Sequence, residues 1–318
     1  MKIAIFGAGV VGGFLAAKLA DSGAVAIARG PQLAAIRANG LTLIEGDVAR
    51  TWRVSVTDDA CALGPQDLVI LTLKAHSLPS AASEIAALCG PGTVLVAAQN
   101  GLPWWYFYRE GGALEGARIA AVDPEGSLYA TLDPARVLGC VVQIAATSPE
   151  PGVIRHQFGN RFILGEPDGT ASQRLRNAAE VLAGAGLQAP TTAAIRREIW
   201  QKLWGNIAFN PLSVLTGAGM DRLIGDPGTR RIAAAIMDEA ERVANRLGIR
   251  FGVTREARID GLVQLGAYKT SMLQDAEAGR PLELGALCEA VMEVARRLEI
   301  PTPTLEIVAS LARLRGGG

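Results

Sequence analysis

Three polar residues at four-residue spacing, Lys202, Asn206 and Asn210, give the clearest chemical signal in this chain. An α-helix turns about 100° per residue, so such a row drifts only about 40° per step and stays on one face. The row presents an ammonium and two amides in a line. An ammonium can donate a proton where negative charge develops, and amides can hydrogen-bond a carboxylate or hydroxyl without adding charge.

Two interpretations of this segment stay open. Glu198 precedes Lys202 by four residues, and such a helical ion pair on a solvated face contributes about 0.2–0.5 kcal/mol. Against it, asparagine is a poor helix former, and Trp200, Trp204 and Phe209 flank the row. Lysine is also scarce, since the 31 basic residues include only Lys2, Lys18, Lys74, Lys202 and Lys269 as lysines. A lysine kept in this place favours a chemical role.

Composition limits the functions to consider. The chain has 318 residues, 49% of them hydrophobic, and a formal net charge of zero, which is typical of a globular protein with two domains. Because it has no basic block, we do not expect nucleic acid as a partner. The four cysteines are scattered without a CxxC pair, and only two histidines occur. We therefore expect neither a disulfide framework nor a metal site.

The apolar N-terminus resembles a secretion signal in composition, but glycines at motif spacing and Lys18 interrupt it, which predicts folded structure instead. No uncharged apolar run reaches about 18 residues, so we expect no membrane span and a cytoplasmic protein. The tail Arg315–Gly318 is expected to be disordered.

Gly7, Gly9 and Gly12 form a GxGxxG motif between a predicted strand, 2–6, and a predicted helix, 14–20. In a dinucleotide-binding loop the first glycine allows a tight turn and the second lets a pyrophosphate reach the backbone. The third lets the helix and strand pack closely. The helix start then offers N–H groups to the phosphates. This context predicts a dinucleotide site.

Arg29 ends the second predicted strand, residues 24–28. An NAD site has an acidic residue at this strand end to hold the ribose 2′-hydroxyl, whereas an arginine accommodates a 2′-phosphate. No acidic residue follows before Glu45, so the sequence predicts NADP(H) as the cofactor. The alternative is a surface arginine in a loop.

Later strand-like runs place two more polar residues at strand ends. Lys74 follows the predicted strand 68–73, and Asn100 lies just beyond the strand 93–98. Ligands of open α/β sheets bind beyond the carboxyl ends of the strands, so Lys74, Asn100, Arg29 and the glycine loop are expected at one site. The remaining predicted elements are a hairpin at 41–44 and 50–56, a strand at 137–146, an antiparallel pair at 152–158 and 161–165, and helices at 31–39, 78–88 and 172–185.

Beyond residue 192 strand-like runs stop, and helical periodicity continues to Leu314. We therefore predict an α/β fold, in which a Rossmann-type doubly wound sheet is followed by an all-helical C-terminal domain. The predicted domains are residues 1–192, which bind NADP(H), and residues 193–318, which begin with the helix bearing Lys202 and carry the substrate site.

The ordered set of motifs resembles the ketopantoate reductase (2-dehydropantoate 2-reductase) family over nearly the whole chain. The matching segments are GAGVVGG at 7–13, ARG at 28–30, LTLKA at 71–75, QNG at 99–101, KL at 202–203 with Asn206 and Asn210-Pro211, and TSMLQD at 270–275. The resemblance implies a Rossmann domain joined to a helical domain, with NADPH and a 2-oxo acid as ligands. It also implies reduction of 2-dehydropantoate to pantoate, a step of pantothenate biosynthesis.

The resemblance also implies roles for individual residues. Lys202 matches the catalytic lysine of the family and Glu283 its catalytic-site glutamate, while Lys74 matches a position on the cofactor side. The polar residues that match substrate ligands are Asn100, Asn206, Asn210 and Ser271.

Some positions depart from the family pattern. Leu282 and Gly285 stand where the family usually has a threonine and an aspartate around its glutamate, and Met220 stands where some members have a polar residue. The segment from Gly23 to Arg29 is about two residues shorter than is usual in the family, which weakens the assignment of the family's cofactor-binding role to Arg29. Because pocket contacts set specificity, these changes leave the reaction type standing and the exact 2-oxo acid open.

Other functions stay open at this point. A β-hydroxyacid or polyol-phosphate dehydrogenase shares the domain layout, and Arg196-Arg197 could supply the basic cluster that a phosphate requires. A catalytically silent NADP-binding regulator is a further class, against which the lysine, asparagine and glutamate set argues, and a purely structural protein leaves the polar row unexplained. The expected partner is a small-molecule substrate; the oligomeric state is undecided, with a homodimer as one option.

Overall fold

The structure, a computed structural model, describes residues 1–316. This chain forms two compact units. The sheet unit comprises Met1–Gln99, Trp105–Ala117 and Gly126–Ile195, and the helical unit comprises Asn100–Trp104, Arg118–Glu125 and the chain from Arg196 on. Two short segments of the first half thus belong to the helical unit, which no pattern in the sequence indicates. The domain boundary after residue 192 stays a prediction.

Nine strands form the sheet unit. Their bounds are Ile3–Phe6 (β1), Val25–Ile27 (β2), Leu41–Glu45 (β3), Val48–Trp52 (β4), Ser55–Thr57 (β5), Gln66–Leu71 (β6), Cys89–Ala97 (β7), Val137–Glu150 (β8) and Val153–Gly165 (β9). The spatial order is β4-β3-β9-β8-β7-β6-β1-β2-β5. Pairs β3–β4 and β8–β9 are antiparallel, and all other pairs are parallel.

The central strands carry the continuous apolar runs that a parallel sheet covered on both faces requires. All four residues of β1 are buried, as are five of the six residues of β6. Together with the helices described below, this arrangement confirms the predicted fold class, a Rossmann-type sheet followed by a helical domain.

The sheet curls around its first helix, α1 (Val10–Lys18). Only two residues separate β4 from β5, although these strands lie at opposite ends of the sheet order, so the two edges approach one another. Helix α1 contacts β1, β2, β3, β8 and β9, and its residues 12–17 are all buried. A helix that is apolar on every side is stable only when it is enclosed in this way.

Two predictions about the strands were wrong. The run 50–56 is not one strand, because β4 pairs with β3 and β5 pairs with β2. The segments 152–158 and 161–165 do not pair with each other; they belong to the single strand β9, which pairs with β8. Gly159, with φ of +77°, supplies a bulge at this place, since the pairing steps by two residues in β8 and three in β9.

The other helices of the sheet unit cover the sheet or join its strands. They are α2 (Gly30–Asn39), α3 (Leu78–Ala87), the short α4 (Ser127–Thr131) and α5 (Gln173–Gly184). The helices predicted at 31–39, 78–88 and 172–185 are thereby confirmed to within two residues at each end.

The helical unit contains seven α-helices within the described residues: α6 (Ile195–Thr216), α7 (Met220–Gly225), α8 (Pro227–Arg246), α9 (Arg255–Leu262), α10 (Ser271–Glu277), α11 (Ala290–Arg297) and α12 (Pro303–Arg315). A π-helical turn, Gly285–Glu289, precedes α11. As predicted, no strand occurs between residues 196 and 316. Arg315, expected in a disordered tail, instead ends α12, and Gly316 is the C-cap of that helix. The rest of that prediction, Gly317 and Gly318, lies outside the described residues.

Aromatic side chains form the core of the helical unit. Trp200, Trp204 and Phe209 are each at most 1% exposed. Trp204 stacks on Phe251 with ring centroids 4.1 Å apart, and its indole Nε1 donates a hydrogen bond of 2.8 Å to the carbonyl oxygen of Met237 in α8. Helix α6 is therefore fixed by its aromatic residues. Within residues 1–316, no helix has the length and apolar character needed to span a membrane.

Candidate active site

The glycine loop joins β1 to α1, and two of its glycines are required by packing. Gly7 has φ of +106°, a conformation that side chains disfavour. A Cβ on Gly12 would lie 1.8 Å from the carbonyl oxygen of Gly7 and 2.5 Å from Oγ1 of Thr72. The Thr72 hydroxyl donates to the Gly7 carbonyl at 2.6 Å. Thr72 thus stabilises the turn at Gly7 through this hydrogen bond, a role that the sequence did not indicate.

Gly9 differs from these two, because a Cβ added to it meets nothing within 4 Å. Gly9 is the N-cap of α1 and makes no side-chain cap to the helix. No side chain therefore covers the backbone N–H groups at the start of α1. A pyrophosphate needs this arrangement in order to approach the backbone. The residues present fit a dinucleotide.

Gln32 supports this loop from α2. Its Nε2 donates to the carbonyl oxygen of Ala8 at 2.7 Å, and its Oε1 accepts from the backbone N–H of Gly152 at 2.9 Å. The side chain therefore ties the glycine loop to the turn between β8 and β9. Nothing in the local sequence pattern distinguishes this glutamine from other polar residues of a surface helix.

Arg29 and Lys74 follow β2 and β6, the two strands that flank β1. The glycine loop, Arg29 and Lys74 thus lie at the carboxyl ends of three adjacent parallel strands. That they form one site with Asn100, as the strand-end argument expects, stays a prediction. The Arg29 side chain is 63% exposed and pairs with Glu84 of α3. Glu84 is distant in sequence, so only the fold reveals that an acid accompanies Arg29.

In the helical unit, Lys202 and Asn100 are in direct contact. Lys202 lies in α6, and its Nζ donates a hydrogen bond of 2.6 Å to Oδ1 of Asn100. The interpretation as an ion pair with Glu198 did not predict this contact, and Glu198 itself lies 3.7 Å from the guanidinium of Arg197. The lysine is therefore held by an amide from a segment 102 residues earlier in the chain.

The next residue, Gly101, fixes the position of Asn100. Gly101 has φ of +85°, and a Cβ on it would lie 2.3 Å from the carbonyl oxygen of Ala286. The same carbonyl accepts a hydrogen bond from the N–H of Leu102 at 3.0 Å. Asn100 is thereby attached to the π-helical turn that begins two residues after Glu283. Such turns often occur at functional sites.

Glu283, Asn210 and Ser271 lie at different depths. Glu283 and Asn210 are 8% and 5% exposed, whereas Ser271 is exposed at the first position of α10. Asn206 is half-buried and shares the polar face of α6 with Lys202. The structure therefore places the predicted polar row on one helix, as the spacing required.

Two buried hydroxyls connect Asn210 to Ser271. Ser213 Oγ lies 2.6 Å from the carbonyl oxygen of Asn210 and 2.6 Å from Oγ1 of Thr270. Thr270 in turn accepts from the N–H of Leu273 at 3.1 Å and so caps α10. The sequence indicated no role for either hydroxyl, although the position of Thr270 before a helix start is a recognisable N-cap signal.

The tryptophans do not line this site. The sequence placed Trp200 and Trp204 beside the polar row, but both are fully buried, and Trp204 bonds to α8. An α-helix of 22 residues has room for a core face beside a polar face. Among residues 1–316, no group of three or more His, Cys, Asp or Glu residues could hold a metal ion.

Comparisons with known proteins agree on one family. A family model described as "Ketopantoate reductase PanE/ApbA" matches residues 3–169, and one described as "Ketopantoate reductase PanE/ApbA C terminal" matches residues 194–316. A 2-dehydropantoate 2-reductase from Mesorhizobium japonicum is 50% identical over 316 residues, which cover 98% of this chain and 97% of that protein.

Solved structures give the same relationship. A candidate ketopantoate reductase from Ralstonia solanacearum MolK2 is 46% identical with a TM-score of 0.95, covering 99% of this chain and 98% of that one. A D-mandelate dehydrogenase solved with NADH and anilino(oxo)acetate has a TM-score of 0.86 at 20% identity. The match covers 100% of this chain and 99% of that one. The latter likeness concerns the fold.

The loop geometry predicts opposite effects for two glycine substitutions. Gly9→Val should leave the melting temperature near that of the wild type and weaken dinucleotide binding at least about tenfold, because the side chain fills the open space over the helix start. Gly12→Ala should instead lower the melting temperature, because its Cβ meets the Gly7 carbonyl. Fluorescence titration with NADPH and thermal melting measure both. Wild-type affinity in Gly9→Val would show that phosphates bind elsewhere.

Proposed function

The chain belongs to the ketopantoate reductase family, and on that premise we propose that it reduces 2-dehydropantoate to pantoate with NADPH. Lys202 is the proton donor in this proposal. The observation that carries it is the 2.6 Å hydrogen bond from Lys202 Nζ to Asn100 Oδ1 on the polar face of α6. The product would serve pantothenate biosynthesis, and the four cysteines, all free thiols, suit the reducing cytoplasm.

The reaction adds a hydride and a proton across a ketone. The carbonyl carbon would receive its hydride from bound NADPH, which the residues of the glycine loop, Arg29 and Lys74 would hold. The carbonyl oxygen must then receive a proton as negative charge develops on it. Lys202 supplies that proton from Nζ, and the oxygen becomes the hydroxyl of pantoate. Lys202 regains a proton from solvent after product release.

Asn100 orients the lysine for this transfer. Its Oδ1 accepts a hydrogen bond from Nζ, and because an ammonium carries three N–H donors, Nζ can also donate to the substrate oxygen. An amide partner carries no charge, so it fixes the direction of the ammonium without neutralising it. Held in this way, Lys202 needs little reorganisation as the oxyanion forms.

Asn206, Asn210, Ser271 and Glu283 bind the other polar atoms of the substrate in this proposal. Asn206 lies one helical turn from Lys202, and the Ser213–Thr270 pair couples Asn210 to the start of α10, where Ser271 lies. Amide and hydroxyl donors suit the oxygens of a hydroxylated acid, and the carboxylate of Glu283 suits a hydroxyl donor. Such contacts hold the ketone oxygen next to Nζ of Lys202.

We assign the preference for NADPH over NADH to Arg29. Its guanidinium follows β2, where the ribose of a dinucleotide lies in this fold, and Lys74 lies on the cofactor side at the end of β6. The pair of Arg29 with Glu84 is solvent-exposed, and pairs of this kind contribute about 0–1 kcal/mol. A 2′-phosphate, with more charge and several acceptor oxygens, competes well for the guanidinium. A homodimer stays a prediction.

The cofactor assignment predicts a selective loss in Arg29→Ala. A charge-assisted hydrogen bond contributes about 1.5–3 kcal/mol, so the dissociation constant for NADPH should rise about 10- to 100-fold while that for NADH stays within about twofold. Arg37→Ala is the matched control, because Arg37 lies on α2 and pairs with Asp58 at the surface. Binding titrations with both cofactors decide this. Equal affinity of the wild type for NADPH and NADH would contradict the assignment.

The proton-donor role predicts that Lys202→Ala lowers kcat at least about 100-fold, because general acid catalysis contributes about 10²–10⁴-fold. NADPH affinity should change little. Lys202→Arg should not restore turnover, since a guanidinium does not release its proton at working pH. Lys269→Ala is the control, because Lys269 pairs with Glu277 at the surface. Steady-state assays with 2-dehydropantoate measure kcat, and wild-type turnover by the arginine variant would limit Lys202 to supplying charge.

A further inference from the structure

Arg258, in the middle of α9, is a largely buried cation whose charge is not compensated within the structure. Its Nε is buried and has no hydrogen-bond partner among the described residues. Burial lowers the pKa of Arg258, and no neighbouring carboxylate acts in the opposite direction. Nε is the one atom of Arg258 that is both buried and without a hydrogen-bond partner among the described residues, and the residue is partly exposed. The guanidinium therefore lacks a carboxylate partner and is accessible to a ligand.

The surrounding arginines differ from Arg258 in this respect. Arg255, one turn earlier in α9, pairs with Asp238 and Glu256. Asp260, two residues after Arg258, pairs with Arg230 of α8. The nearby carboxylates are therefore engaged by other arginines, and α9 presents one guanidinium that lacks such a partner.

Arg258 lies against the helix that carries the catalytic lysine. A Cβ placed on Gly205 of α6 would lie 3.8 Å from Nη2 of Arg258, 3.9 Å from its Nε and 3.5 Å from Cδ1 of Leu262. The guanidinium thus covers the bare backbone of Gly205. These separations are ordinary van der Waals distances, so the guanidinium packs directly against α6 at Gly205.

Gly205 follows Lys202 by three residues and directly precedes Asn206. Residues three apart on a helix are neighbours on its surface, with about 5–6 Å between Cβ atoms. The Arg258 guanidinium therefore contacts α6 about one helical turn from Lys202. Two cations in this arrangement match a ligand with two adjacent electron-rich groups.

We propose that Arg258 binds the carboxylate of the 2-oxo acid while Lys202 faces the adjacent ketone oxygen. This inference rests on the proposed function and adds the residue that selects free acids over neutral carbonyl compounds. A guanidinium presents two parallel N–H donors to a carboxylate. Arg258 does not take part in the proton transfer; it sets substrate specificity and fixes the ketone next to Nζ of Lys202.

The test compares 2-dehydropantoate with its uncharged methyl ester. In Arg258→Met, kcat/KM for the acid should fall about 10- to 100-fold, mainly through KM, as expected for loss of a charge-assisted hydrogen bond. In the same variant, kcat/KM for the ester should stay within about twofold of the wild-type value. For the acid, kcat/KM of Arg258→Lys should lie between the values of the wild type and Arg258→Met. Arg255→Met, on the same helix, is the control and should keep the wild-type preference for the acid.

A merely structural role makes a different prediction. It would lower the melting temperature of Arg258→Met and leave the ratio of kcat/KM for the acid to kcat/KM for the ester unchanged. That result would overturn the proposal. Because Arg258 has no carboxylate partner among the described residues, its replacement removes no ion pair, and we expect the melting temperature of Arg258→Met to equal or exceed that of the wild type.

A binding measurement separates this inference from the proposed function. If the wild type reduces no 2-oxo acid, the proposed function fails, and Arg258 is then tested by titrating 2-dehydropantoate into the NADP⁺ complex with tryptophan fluorescence as the signal. Binding by the wild type that is lost in Arg258→Met supports the carboxylate site. Equal binding by both proteins, or no binding by either, overturns it.

Discussion

The position of Lys202 depends on one close backbone approach, that of Gly101 to the carbonyl oxygen of Ala286. A Cβ at residue 101 would lie 2.3 Å from that oxygen, so only glycine permits the contact. The approach brings Asn100 from the end of β7 into the helical unit, where its Oδ1 accepts from Lys202. The conformational constraint at residue 101 therefore places the amide that accepts from the ammonium.

Buried polar contacts outside the reacting groups support the same arrangement. Thr72 holds the turn at Gly7 in the sheet unit, and Ser213 with Thr270 holds Asn210 and the start of α10 in the helical unit. Each hydroxyl replaces a solvent contact of a buried carbonyl or N–H group, which would otherwise cost about 1–3 kcal/mol. These residues position functional groups without touching a ligand. Arg258 differs from these residues, since its Nε has no hydrogen-bond partner among the described residues.

The sequence predicted the features that depend on local spacing. The GxGxxG motif, the apolar strands and the row of Lys202, Asn206 and Asn210 follow from periodicity along the chain, and the structure has each of them where expected. The roles of the site residues stay predictions. Features that depend on contacts between distant segments could not be found in this way.

Three errors and omissions illustrate this limit. The bulge at Gly159 has the local signal of a hairpin turn, and only its pairing with β8 shows that the strand continues. Trp200 and Trp204 flank the polar row in sequence, but both are buried in the core, and Trp204 bonds to Met237 of α8. Arg258 has an ordinary sequence context, and its significance depends on which carboxylates its neighbours occupy.

The central claim is that Asn100 acts by orienting Lys202, and a double-mutant cycle on kcat at saturating substrate tests it most directly. Residues that act as one unit are non-additive. Asn100→Ala should therefore lower kcat at least about tenfold in the wild-type background, since it removes a hydrogen bond to a charged group. In the Lys202→Ala background it should change kcat less than about twofold. An equal loss from Asn100→Ala in both backgrounds would contradict the account.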